Sequence, residues 1–233
     1  MMHTKAEQEV ALGSGRHAEH PTTAVRVPVG NRWLQGDLGI PVQPHGIVLF
    51  AHGSGSSRHS RRNQYVARVL ESRGLATLLI DLLTPDEEAV DDRTAEYRFD
   101  IEMLAGRLAA IVDWIRQRKE TSALPIGLFG ASTGGGAALM AAAARPQEIA
   151  AVVSRGGRPD LAGAALPHVV APTLLIVGGL DTPVIQMNRD AMRQMRATVA
   201  IEIVPGATHL FEEPGGLERV ADLAGSWFRR YLV

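Results

Sequence analysis

Residues 124–146 read LPIGLFGASTGGGAALMAAAARP, and the centre of that stretch, Gly130-Ala131-Ser132-Thr133-Gly134, decides how the chain around it is read. Ile126-Gly127-Leu128-Phe129 is a short apolar run suited to a buried parallel strand. The Ala/Leu/Met run after the glycines has strong helix propensity. A strand, a G-x-S-x-G turn and a helix in that order form a nucleophile elbow. The turn is tight enough that the residues flanking the serine must be small. Gly130 and Gly134 then let strand and helix close on each other, and Ser132 is left at the apex in a strained conformation. The Thr133 N–H points into the same space from the helix start.

The flanking segments extend the alternation in both directions. Upstream, Ala24–Val29 and Trp33–Leu38 alternate apolar and polar residues around Gly30-Asn31, which predicts an antiparallel hairpin at a sheet edge. Gly46–Ala51 is a nearly unbroken apolar strand that runs into His52-Gly53-Ser54-Gly55-Ser56-Ser57. A helix is expected over about 61–72, a strand over 75–80, a mostly acidic loop over 82–97, and a helix over about 98–118. Downstream come strands at 149–153, 172–177 and 199–204, a Met-rich helix over 184–196 and a last helix over about 217–231. The fold class that follows is α/β: one doubly wound, mostly parallel sheet with an N-terminal antiparallel hairpin and no large cap domain. Residues 1–22 read as a flexible tail and 23–233 as the single domain.

Composition narrows the function. A net charge of −1 argues for neither nucleic acid nor an anionic membrane surface as a partner. The chain has no cysteine, which excludes disulfides, thiolate metal sites and a cysteine nucleophile. The polar start lacks a signal-peptide core and no run is long enough to cross a membrane, so the expected compartment is the cytoplasm. His3, His17 and His20 read as solvated tail residues rather than a metal site.

In open parallel sheets, ligands gather beyond the carboxyl ends of the strands. Three strand ends carry chemistry: Ser132, Asp181 and His209, in chain order Ser…Asp…His. A serine hydroxyl is a poor nucleophile until an imidazole takes its proton, and the imidazole must be held in one tautomer by a carboxylate. His209 is the expected base, since His168 precedes a strand instead of following one. Asp181 is the expected acid; a plain helix N-cap is its alternative role, and Asp160 its competitor. An oxyanion needs two donors, for which the N–H groups of Thr133 and Ser54 are the candidates, with Gly55 in reserve. The His52–Ser57 turn also suits a phosphate cradle, but neither G-K-[ST] nor G-x-G-x-x-G is present. His52 itself reads as a structural hydrogen-bonder beneath the loop. Arg58 and Arg155 are candidate clamps for a substrate carboxylate or phosphate, against solvated arginines or ion pairs with the acidic loop.

The elbow, the His52-Gly53 loop, the Gly-Gly-Leu-Asp181 turn and the Gly-Ala-Thr-His209 turn resemble the α/β-hydrolase superfamily over roughly residues 24–232. The similarity is closest to small, lidless dienelactone-hydrolase-like members. The segments 52–58 and 154–160 also resemble hydrolases sometimes fused to phosphoribosyltransferases. Dienelactone hydrolase proper uses a cysteine nucleophile where this chain has Ser132. The resemblance therefore implies carboxylic ester hydrolysis with no cofactor and no metal, on a small-molecule ester. Lactone or thioester hydrolysis and acyl transfer by the same triad are the alternatives, together with a non-catalytic binding scaffold. Neither motifs nor resemblance assign an oligomeric state.

Overall fold

The structure is a computed structural model and describes residues 22–232. The expected tail lies outside the described residues except Thr22, which already belongs to a strand. The elements are β1 (Thr22–Val29), β2 (Arg32–Gly39), β3 (Ile47–Ala51), α1 (Arg61–Ser72), β4 (Ala76–Ile80), α2 (Pro85–Thr94), α3 (Ile101–Gln117), β5 (Ile126–Ala131), α4 (Thr133–Ala144), β6 (Ile149–Arg155), a 3-10 segment (Pro159–His168), β7 (Thr173–Gly178), α5 (Thr182–Met192), β8 (Val199–Val204) and α6 (Gly216–Tyr231). The eight strands form one sheet in the order β1-β2-β4-β3-β5-β6-β7-β8. β1 and β2 pair antiparallel, as does β2 with β4, and every later pairing is parallel.

Burial explains the composition of the strands. All residues of β3, β4, β5 and β7 are buried, because helices cover both faces of the sheet. One face packs against α3 and α4 through Leu49, Leu128, Leu108 and Ile111. The other packs against α1 and α6, where Phe50 and Phe129 stack with ring centroids 4.8 Å apart above Phe228. Along α6, Val220 and Phe228 are buried, whereas Leu223 and Trp227 are half-buried. Met187 and Met192 are likewise only half-buried; Met195, beyond the end of α5, packs against the core.

One expectation is corrected. The acidic stretch 82–97 is not a loop: it contains helix α2. Thr84 and Glu87 form a capping box, Pro85 occupies the first turn, and Asp86, Glu87 and Glu88 face the positive end of the helix dipole. Among the described residues, Glu87 is also the anchor that holds this helix to the domain. Its carboxylate accepts from Arg107 Nη1 at 2.8 Å and Nη2 at 2.6 Å and from Thr84 N–H at 2.8 Å, and it pairs with Arg32. Burial pushes Glu87 up, but the Arg107 and Thr84 hydrogen bonds outweigh it and bring it from 4.5 down to about 2. A depressed folded pKa means that the stabilisation is complete above the unfolded value and is lost as pH falls through the folded one. The shift corresponds to about 3 kcal/mol. Urea unfolding between pH 5 and 2 is therefore expected to show a falling midpoint, with a flatter profile in Glu87→Gln. An equally steep profile in that variant would assign the acid sensitivity to other carboxylates.

Candidate active site

β5 leads straight into the elbow. Ser132 has φ 51° and ψ −121°, a conformation that costs a non-glycine residue about 1–3 kcal/mol and persists only where the surroundings impose it. The surroundings are close backbone contacts. A Cβ on Gly130 would meet Gly134 O and Gly135 Cα at 2.5 Å, and one on Gly134 would meet Ala51 O and, at 2.5 Å, His52 O. The elbow is thus wedged between its own helix and the end of β3. Ser132 N–H donates to Arg155 O at 3.2 Å and Ser132 O accepts from Arg158 N–H at 3.0 Å, tying the apex to the end of β6.

His209 and Asp181 come to this apex from β8 and β7. His209 Nε2 faces Ser132 Oγ at 3.4 Å, and His209 Nδ1 lies 2.6 Å from Asp181 Oδ2. A carboxylate only accepts, so Nδ1 carries the proton and leaves Nε2 a lone pair toward the serine. Asp181 does sit at the N-cap position of α5, yet its side chain makes no capping hydrogen bond. Asp160 lies elsewhere: its carboxylate accepts from Arg158 Nε at 2.9 Å and Nη2 at 2.7 Å. His168 is exposed at the end of the 3-10 segment. The imidazole of His209 retains 38% of its side-chain exposure, so the mouth is open on that side.

On the other side of Ser132, the His52–Ser56 loop behaves partly as expected. Both ring nitrogens of His52 are occupied: Nδ1–H donates to Gly53 O at 2.9 Å and Nε2 accepts from Leu82 N–H at 2.9 Å. Burial lowers the pKa of this ring, which keeps it neutral and makes it a strut, not a base. The expected second oxyanion donor is already engaged. Ser54 N–H is already donated to Thr133 Oγ1 at 2.9 Å, because the threonine hydroxyl reaches back over the loop and fastens it to α4. Thr133 N–H opens α4 with no side-chain cap from Ser132, as the orphan donor of a helix start.

A shallow cleft adjoins Ser54 and Thr133, lined also by Leu82, Glu88 and Arg98. α2 forms its outer wall, held in place through Asp91, which accepts from Tyr97 N–H, Arg98 N–H and Arg98 Nε. The stretch read from sequence as an acidic loop is thus the wall of this cleft, as a helix.

The two candidate clamp arginines separate. Arg58 is engaged: its backbone N–H donates to Asp81 Oδ1 at 2.7 Å, its guanidinium pairs with Asp81, and Nη2 reaches Gln35 at 3.2 Å. Arg58 is therefore a strut between the loop and β4, which corrects its expected binding role. Arg155 is 7% exposed, with no side-chain hydrogen bond or ion pair among the described residues. A residue the sequence reading passed over, Asn188, is fully buried on α5 and donates to Gly157 O at 3.0 Å, bracing the loop after β6. No group of metal-ligating side chains occurs among the described residues, and no described helix is long and apolar enough to cross a membrane.

A mostly parallel sheet with its serine on a strand-to-helix elbow after β5, and with aspartate and histidine after β7 and β8, defines an α/β-hydrolase fold. The sequence profile of the dienelactone hydrolase family matches residues 34–229. This chain belongs to the dienelactone hydrolase family. It is similar to the crystal structure of a dienelactone hydrolase from Anabaena variabilis, with 61% identity, a TM-score of 0.90, and coverage of 91% of this chain and 99% of that one. Est1E from Butyrivibrio proteoclasticus shares the fold at 16% identity, with a TM-score of 0.75 over 89% of this chain and 98% of that one. Among curated proteins, two from Mycobacterium tuberculosis are 56% identical over 89% of this chain and 46% of their own length; both carry the name "Putative phosphoribosyl transferase". The chain spans about half the length of these curated relatives.

Proposed function

We propose that this hydrolase cleaves small or short-acyl carboxylic esters through an acyl-enzyme on Ser132. The observation that carries this reading is the hydrogen-bonded line from Asp181 through His209 to Ser132. Ser132 Oγ attacks the ester carbonyl while His209 Nε2 takes its proton. The tetrahedral intermediate collapses, the C–O bond to the alcohol breaks, and His209 returns the proton to the leaving oxygen. Water then attacks the acyl-enzyme by the same route in reverse and releases the acid. The 3.4 Å separation of Nε2 and Oγ is a long hydrogen bond of the kind that tightens in the Michaelis complex.

Thr133 N–H receives the developing oxyanion. Ser54 N–H joins it once the Thr133 hydroxyl rotates away, a change at one side-chain bond. These steps are complete in side chains and amides, and no cofactor enters them. The name of the Anabaena neighbour points to lactones, cyclic esters that the same sequence of steps opens.

The test is exposure to a fluorophosphonate followed by peptide mass spectrometry. A single adduct on Ser132 is expected, lost in His209→Ala. A folded protein with no adduct at Ser132 would overturn the mechanism and leave a binding scaffold in its place.

A further inference from the structure

Acyl transfer constrains where each arm of an ester points. In the tetrahedral intermediate the former carbonyl carbon carries Ser132 Oγ, the oxyanion, the leaving oxygen and the acyl chain. Ser132 Oγ enters from the elbow. The leaving oxygen must collect its proton from His209 Nε2, so the alcohol faces His209. The oxyanion faces the amides at Thr133 and Ser54. The acyl chain is left with the direction away from His209, on the side of those amides.

The sheet gives that direction a lining. β8, which delivers His209, lies beyond β6 and β7 on one side of β5; β3 and β4 lie on the other. The segments after β3 and β4, together with α2 and Leu104 of α3, enclose the shallow cleft that begins at Ser54 and Thr133. This cleft adjoins the nucleophile: a Cβ on Gly53, which also lines it, would meet Ser132 Cβ at 3.0 Å. Its floor is apolar, with Leu82 1% and Leu104 4% exposed and Leu83 half-buried beside them. Most of its charges are balanced internally, Asp81 by Arg58 and Asp91 by Arg98. Glu88 is different: it is exposed, and its carboxylate has no hydrogen bond or ion pair among the described residues.

We propose that the cleft walled by α2 is the acyl site, and that the esters processed at Ser132 carry a short, uncharged acyl chain whose length is limited by Leu82 and Leu104. This names the acyl half of the substrate and rests on the esterase reading above. Each acyl methylene that enters the cleft leaves water for an apolar floor, which raises kcat/KM about fourfold. The gain stops where the chain meets Leu82 and Leu104, because a packed floor resists extra methylenes. An acyl chain ending in a carboxylate would leave water for that floor and approach Glu88, so it is disfavoured.

Two measurements test the assignment. In the Ser132→Ala protein with isotope-labelled leucine methyls, methyl butyrate is added and nuclear Overhauser effects are recorded. Leu82 and Leu104 methyls are expected to show cross-peaks to the butyryl chain and none to the O-methyl group. Cross-peaks to the O-methyl group instead would make the cleft an alcohol site and overturn the proposal; so would the absence of any response at both leucines. This measurement needs no catalysis and stays readable if the serine mechanism fails, a failure that would show as no turnover of any ester by the wild-type protein. In the active protein, kcat/KM is expected to rise from p-nitrophenyl acetate to butyrate and to fall at hexanoate. Leu104→Ala raises the hexanoate-to-butyrate ratio at least about tenfold. Leu83→Ala, a truncation at a half-buried and more tolerant position, moves the ratio the same way. The ratio between p-nitrophenyl and naphthyl acetate, which differ only in the alcohol, stays within about twofold in both variants. Mono-p-nitrophenyl glutarate is expected to be poorer than p-nitrophenyl butyrate, and Glu88→Gln narrows the gap. Variants that shift the alcohol series and leave the acyl series unchanged would overturn the proposal.

Discussion

Asp181→Asn is expected to lower kcat on p-nitrophenyl acetate by about four orders of magnitude while the protein remains folded. The carboxamide is nearly the same size as the carboxylate, so packing around the 2.6 Å contact to His209 Nδ1 is preserved. What changes is the proton inventory. An amide nitrogen turned toward the ring donates to Nδ1, which moves the imidazole proton to Nε2 and leaves nothing to accept from Ser132. Circular dichroism and Tm close to wild type would separate this from unfolding. Asp160→Asn supplies the contrast, because that carboxylate only pairs with Arg158 at the surface, and its kcat should stay within about threefold. A large loss in Asp160→Asn with little in Asp181→Asn would reverse the assignment of the acid.

Gly134→Ala is expected to be the most damaging single-methyl change to stability. The added Cβ meets backbone oxygens of Ala51, the buried last residue of β3, and of His52 just after it, and main chain cannot swing aside like a side chain. Either α4 or the end of β3 must move. Overpacking of this kind costs about 3 kcal/mol, and more where the backbone itself yields. The same displacement shifts the His52–Ser54 loop that flanks the elbow, so activity should fall further than the unfolded fraction explains. Gly206 is the natural control: its φ is +73°, but a Cβ there meets nothing within 4 Å, so Gly206→Ala carries the conformational penalty alone. Chemical denaturation of the two variants measures the difference; equal losses would mean that the elbow has slack the close contacts do not suggest.

The sheet and the line from Asp181 to Ser132 were readable because each rests on short-range signals. Apolar runs mark buried strands, and parallel strands deliver their carboxyl ends to one rim, so Ser132, Asp181 and His209 had to be near neighbours once the strands were found. The competition between Asp160 and Asp181 needed coordinates, since both follow strands and both suit a helix start. α2 escaped because it has almost no apolar stripe; the usable signal was Thr84-Pro85-Asp86-Glu87, a capping box with proline in its first turn. The two arginines were indistinguishable in sequence, since what separates them is pairing across the fold. Arg58 meets Asp81 at the end of β4, whereas Arg155 meets no acid at all among the described residues. The engagement of the Ser54 amide was hidden for a similar reason, as its partner is a side chain 79 positions away.

α2 has a consequence for how such a protein diversifies. Its outer position and its attachment through a few charged groups make the wall of the cleft separable from the floor. Changes within residues 83–98 are expected to alter what fits beside Ser54 and Thr133 without disturbing β5, β7 or β8, which hold Ser132, Asp181 and His209. Inheritance can therefore keep the chemistry constant while selection remodels one short helix. New substrates would then be acquired by editing a segment of sixteen residues, and the surface of that helix, more than the elbow, should record each lineage's diet.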